Sequence, residues 1–237
     1  MPRKSQPRFP PPQCAYCGNS SDHQDHVFPK ALFRELGSHA VTVKACTPCG
    51  KRKSRYDAYF RDGLVTDFRC HSHPVARDKF VNEFQRAVVG KQSRFADDFM
   101  VRSVPHLVRD ENGRQPVTFH FLPVDPDFEI ELEFILRGLT RYASPSLTVA
   151  RDAVIQTGQL TPRAAAQSME YSAAQMGGLQ GPFMRDDFVV EWAFQIANEN
   201  LSLWWLCFYG AVSYIGSIQP PGREPIPLEK AGAWGSS

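Results

Sequence analysis

Residues 14–54 read CAYCGNSSDHQDHVFPKALFRELGSHAVTVKACTPCGKRKS. Two CxxC pairs frame this stretch, Cys14-Ala-Tyr-Cys17 and Cys46-Thr-Pro-Cys49, with 28 residues between them. Four thiolates arranged in two knuckles close a tetrahedral zinc site and leave no position open for catalysis. Gly18 and Gly50 follow the two pairs, and glycine suits the tight turns that fold backbone N–H groups towards sulfur. A redox CxxC would sit in a βαβ pattern, which surrounds neither pair. The stretch shows little apolar periodicity and cannot pack a core unaided, so a metal has to organise it. Cys14, Cys17, Cys46 and Cys49 are therefore the expected ligands of a structural Zn²⁺.

Between the knuckles lies Gln24-Asp25-His26-Val27-Phe28-Pro29-Lys30. An Asp-His pair in isolation is an ordinary surface feature. Here it follows one CxxC and is itself followed by an apolar residue, a proline, a second CxxC and a basic, Lys-containing helix start. In that order the segment Cys14–Ser54 resembles the HNH endonuclease family. The resemblance covers roughly the first 55 residues. It implies a ββα-metal nuclease module in which a strand presents Asp25 and His26 and a helix packs beneath them. Asp25 would bind a hard divalent cation, Mg²⁺ or Mn²⁺. His26 would be the general base that deprotonates a water for in-line attack on a phosphodiester of DNA. His39, seven residues before Cys46, falls near the place of the family residue that orients the base.

One position departs from the family pattern. The residue after the last knuckle cysteine is often Asn or His there, and this region gives the cation its second protein ligand. This chain has Gly50, which has no side chain to offer. Asp57 is the best substitute by chemistry, being an oxygen ligand further along the same presumed helix. The departure keeps a rival reading in play: a zinc-dependent nucleic-acid-binding module without catalysis, or a subunit of a larger complex. Lys51, Arg52, Lys53 and Arg55 follow the second knuckle directly. With Lys30 and Lys44 they form a cluster suited to clamping a phosphate backbone in a salt-sensitive way. Double-stranded DNA is the expected partner, with RNA the alternative.

Outward from this stretch the charge is lopsided. Residues 1–115 carry 20 Lys/Arg against 12 Asp/Glu, and residues 116–237 carry 7 against 13. A basic front half suits a polyanion; an acidic back half suits a protein contact or self-association. The absence of a signal-like apolar core in MPRKSQPRFPPPQ points to the cytoplasm, and no apolar run is long enough to span a bilayer. No P-loop, GxGxxG after a strand or GxSxG occurs, so nucleotide hydrolysis and serine chemistry lack support. Family analogy alone suggests a setting in phage defence or mobile-element biology.

The expected architecture is α+β. Residues 1–13 form a basic, Pro-rich arm, 14–60 the zinc and nuclease module, 61–115 a helical connector, 116–218 an α+β domain with antiparallel strands, and 219–237 a loose tail. Helical periodicity runs from Arg55 to about Arg102, with Asp78 a cap for the helix through Phe80, Phe84 and Val88 and Gly90 an end or interruption. Pro105 to Pro116 reads as a loop and Val117 to Val124 as a strand. Asp125-Pro126 then opens a helix whose apolar face is Phe128, Leu132, Ile135, Leu136 and Leu139. A short helix is expected over 162–175. Phe188 to Ile196 and the Trp-rich run Leu201 to Ile215 read as buried strands. Cys70-His71-Ser72-His73 holds three ligand types, but neighbouring side chains point apart, so a non-metal role is favoured. Cys207 reads as a small buried hydrophobe.

Overall fold

A computed structural model of the chain describes residues 12–35, 40–90, 94–102, 104–109, 116–121, 126–147, 149–160, 180–185, 189–198 and 201–222. The expected helix over 162–175, the N-terminal arm up to residue 11, the tail from residue 223 and His39 lie outside them.

The architecture is mixed helix and antiparallel sheet. β1 (His23–His26) pairs antiparallel with β2 (Thr42–Ala45), Asp25 opposite Val43 and His26 opposite Thr42. α1 (Thr47–Thr66) follows at once. It starts inside the second knuckle, eight residues before the periodicity suggested, because Cys46 takes an extended N-cap conformation and Pro48 fits the first turn, where an N–H is not needed. α2 (Pro74–Lys79) runs through a π-helical turn at Phe80–Phe84 into α3 (Gln85–Val89), which ends at Gly90. The start of this unit differs from the sequence expectation. His73, followed by Pro74, caps it, its Nδ1 accepting from Val75 N at 3.2 Å, while Asp78 lies within the helix and accepts from Asn82. α4 spans Arg94–Arg102.

β3 (Val104–Arg109) and β4 (Pro116–Phe121) pair antiparallel, so part of the expected loop is a strand. α5 (Pro126–Ala143) begins with proline at its first position, and helix prevails over the alternating FEIELEF pattern. The helix buries Leu132, Ile135, Leu136 and Leu139, the stripe its 3.6-residue period predicts. β5 (Val154–Leu160), β6 (Gln180–Arg185), β7 (Val190–Asn198), β8 (Leu201–Phe208) and β9 (Val212–Gln219) form one antiparallel sheet in the order β5-β9-β8-β7-β6. The Trp-rich run is a hairpin, reversing at Tyr209 and Gly210, which both have positive φ as a tight hairpin turn requires.

One apolar cluster joins these parts. Val27, Phe28, Leu32 and Phe33, which follow the Asp25-His26 pair, are buried with residues of α5 and the sheet. Phe28 packs on Trp192 at 5.3 Å between ring centroids, and the Tyr209 hydroxyl donates to Leu32 O at 3.0 Å. In the middle of α5, Gly138 lets the helix approach Val27; a Cβ there would lie 2.9 Å from Val27 Cγ2. The hairpin's end is thus seated on the C-terminal half of the chain. Among the described residues no helix is long and apolar enough to cross a membrane.

Candidate functional site

The first knuckle turns back on itself, Gly18 N donating to Cys14 O at 2.9 Å, and Ala15 N ties it to β2 through Lys44 O at 2.8 Å. In the second, Gly50 N donates to Cys46 O at 3.0 Å as α1 begins. These folds bring one sulfur from each of Cys14, Cys17, Cys46 and Cys49 within 4.8 Å of one another. The Cys17 and Cys46 sulfurs are 3.7 Å apart. A disulfide needs about 2.05 Å, whereas four sulfurs about 2.3 Å from a tetrahedral zinc sit roughly 3.8 Å from each other. The donor set therefore fits a structural zinc. Burial pushes the Cys14 and Cys49 thiols up, so the thiolates there depend on the metal that would replace their protons.

Beside the knuckles, β1 presents Asp25 and His26, both half-buried. Asp25 Oδ1 accepts from His26 N at 2.9 Å, and Oδ2 accepts from the Tyr16 hydroxyl at 3.0 Å. Burial, followed by the Asp25 charge, holds the Tyr16 phenol far above its ordinary range, so it remains a donor. Tyr16 belongs to the first CxxC and stacks edge-on against Phe134 at 5.1 Å. The first CxxC knuckle thus orients the Asp25 carboxylate. Among the described residues, the His26 ring has no hydrogen-bond partner. Burial and the nearby Lys30 charge lower its pKa, Asp25 opposing them. That favours neutral imidazole.

α1 lies along this face through Gly50, Lys53 and Asp57, spaced to share one side of a helix. Lys53 departs from the expected surface cluster. It is 2% exposed, its Nζ donates to Asp57 Oδ1 at 2.8 Å, and it lies 3.0 Å from Oε1 of Glu131, which is 0% exposed. It cannot reach a phosphate from there, since the carboxylates of α1 and α5 hold its ammonium inside. Neither Glu131 oxygen receives an aligned hydrogen bond from the described residues. Burial drives the Glu131 carboxyl well above the usual range, with Lys53 opposing. Lys30, Lys44, Lys51, Arg52 and Arg55 are exposed, Arg52 lying over the Phe134 ring at 5.7 Å. Asp57 is turned to Lys53, and His39 is outside the described residues.

Tyr16, Glu131 and the Asp22-His23 pair are members of this neighbourhood that sequence reasoning passed over. Only Asp22-His23 left a signal, since DHQDH repeats the Asp-His dipeptide three residues apart. His23 Nδ1 lies 2.6 Å from Asp22 Oδ1, and Asp22 Oδ2 accepts from Thr47 N and Oγ1 at 3.2 and 2.9 Å. A Cβ at Gly50 would meet His23 Nε2 at 2.7 Å. Elsewhere, Cys70 is buried, His71 Nε2 pairs with Val65 O at 2.7 Å, and His73 caps α2. Cys207 is buried in β8. No protein-family model, curated protein sequence or solved structure matches the chain.

Proposed function

We propose that the protein is a metal-dependent endonuclease that hydrolyses phosphodiester bonds in DNA. The observation that carries this reading is an Asp25 carboxylate oriented by Tyr16, next to a His26 ring with no hydrogen-bond partner among the described residues, beside an exposed basic rim. His26 accepts the proton of an attacking water, a task suited to neutral imidazole. Each Asp25 oxygen accepts one hydrogen bond from the described residues and keeps a further lone pair for a hard cation. Mg²⁺ or Mn²⁺ bound there would supply Lewis-acid stabilisation of the charge developing on the phosphoryl and leaving oxygens. Lys30, Lys44, Lys51, Arg52 and Arg55, all exposed, offer cations to the phosphate backbone. Zinc on the four cysteines has a separate task, keeping the knuckle that carries Tyr16 against β1.

The bare Gly50 position favours one rival, a zinc module that binds nucleic acid without cutting it. Incubating the zinc-loaded protein with supercoiled plasmid and Mg²⁺ or Mn²⁺, alongside binding measured across salt concentrations, separates the two. The nuclease reading expects nicked and linear products. Salt-dependent binding with intact plasmid would establish the rival. In either case, replacing Lys51 and Arg52 with Gln should flatten the slope of log affinity against log salt by roughly 0.9 for each phosphate no longer neutralised.

A further inference from the structure

α5 is buried on two faces, and its apolar stripe accounts for one of them. Leu136 of that stripe fills the space over Gly216 of β9. Glu131, Phe134 and Gly138, spaced by three and four residues, share a second face beside it. This face is turned to the N-terminal module. Glu131 meets Lys53 at 3.0 Å, Gly138 admits Val27, and the Phe134 ring meets the first knuckle. Phe134 is buried, and two side chains of the candidate site rest on it. The Tyr16 ring stands edge-on to it at 5.1 Å between centroids, and the Tyr16 hydroxyl donates to Asp25 Oδ2 at 3.0 Å. The Arg52 guanidinium lies over it, 5.7 Å from the centroid, within the range at which the negative face of a ring attracts a cation. Edge-on packing sets the plane of the Tyr16 ring, and the hydroxyl at the end of a rigid ring follows that plane. Arg52 is exposed and has many rotamers to lose; resting over the ring narrows them.

We infer that Phe134 is a positioning residue for the nuclease site: it seats Tyr16 so that the hydroxyl holds the Asp25 carboxylate, and it seats Arg52 for a backbone phosphate. This rests on the nuclease reading of Asp25 and His26, and deepens it by placing the cation's carboxylate and a phosphate contact on one support. The nuclease module then extends beyond the knuckles and α1 into α5.

Two binding measurements on the zinc-loaded full chain test this without relying on turnover. One is Mn²⁺ affinity, read from the electron paramagnetic resonance signal of the free ion. The other is affinity for a DNA duplex with no Mg²⁺ or Mn²⁺ added, read by fluorescence anisotropy. Phe134→Leu should weaken each about two- to tenfold, the range set by one aromatic or cation–π contact. Phe134→Tyr, which keeps the ring, should bring both back to within about twofold of wild type. Two double-variant cycles separate positioning from a general loosening of the fold. With Tyr16→Phe in place the hydroxyl is gone, so adding Phe134→Leu should leave Mn²⁺ affinity unchanged. With Arg52→Gln in place, adding Phe134→Leu should leave DNA affinity unchanged. Zinc content should stay at one per chain throughout. Unchanged Mn²⁺ or DNA affinity in Phe134→Leu, or a loss that persists at full size in either cycle, would overturn the assignment while leaving the nuclease reading standing. Loss of zinc from Phe134→Leu would overturn it too, by making the ring a support of the staple. A wild-type protein that neither binds Mn²⁺ nor cuts DNA would remove the nuclease reading, and this inference with it.

Discussion

Lys53 carries the sharpest lesson at the scale of single residues. In the run Lys51-Arg52-Lys53-Ser54-Arg55 it looks like one more surface cation, yet it is buried between Asp57 and Glu131. Its partner lies on α5, far along the chain, and no local pattern announces such a contact. Removing Lys53 leaves Glu131 a protonated, buried carboxyl without its polar partner, at a cost of about 1–3 kcal/mol. Lys53→Met should therefore lower unfolding stability by about that much in denaturant titrations, and adding Glu131→Leu should recover most of the loss. A double variant no more stable than the single one would contradict the pairing. Tyr16 works differently, since its hydroxyl holds a carboxylate while its ring packing is one that Phe would keep. Tyr16→Phe should leave zinc content unchanged but reduce cleavage, because Asp25 loses the donor on Oδ2. Wild-type cleavage by that variant would show that Asp25 needs no such support.

Among the elements, those defined by local pattern were the legible ones. Two CxxC pairs and their glycines read as a metal staple, and the structure brings the four sulfurs together. The apolar stripe of α5 was visible in its 3.6-residue period, and the hairpin of β8 and β9 in its run of Trp, Phe, Tyr and Val. Boundaries set by capping and pairing were less so. α1 begins at the second knuckle because Cys46 and Pro48 start it, and β3 exists because β4 pairs with it across a segment that reads as loop. At the candidate site, Asp25 and His26 could be singled out, but Phe134 could not, because it lies off the stripe that the period of α5 marks. The segment after His26 is an element in its own right: Phe28 seats the hairpin against Trp192 and Phe208. Phe28→Ala should cost about 3–5 kcal/mol of stability. It should also lower cleavage at temperatures where the variant is still folded, since the strand bearing the Asp-His pair loses its seat. Full cleavage at full folding would argue that the pair is held by the hairpin alone.

For the molecule as a whole, the apolar core and the four-cysteine cluster share the work among the described residues. The sheet and α5 supply apolar burial, while β1 and β2, only four residues each, depend on the knuckles beside them. Stripping zinc with a strong chelator should therefore abolish cleavage even after Mg²⁺ is restored, and lower the thermal midpoint, because metal binding and local folding are one equilibrium. An apoprotein that still cuts would separate the staple from the site. General-base catalysis by His26 is the step on which the nuclease reading stands. The rate of plasmid nicking by wild type and His26→Ala, compared at equal zinc occupancy, isolates that step. Loss of a general base should slow nicking by roughly 10²- to 10⁴-fold. Equal rates for the two proteins, or plasmid left intact by the wild type, would contradict it.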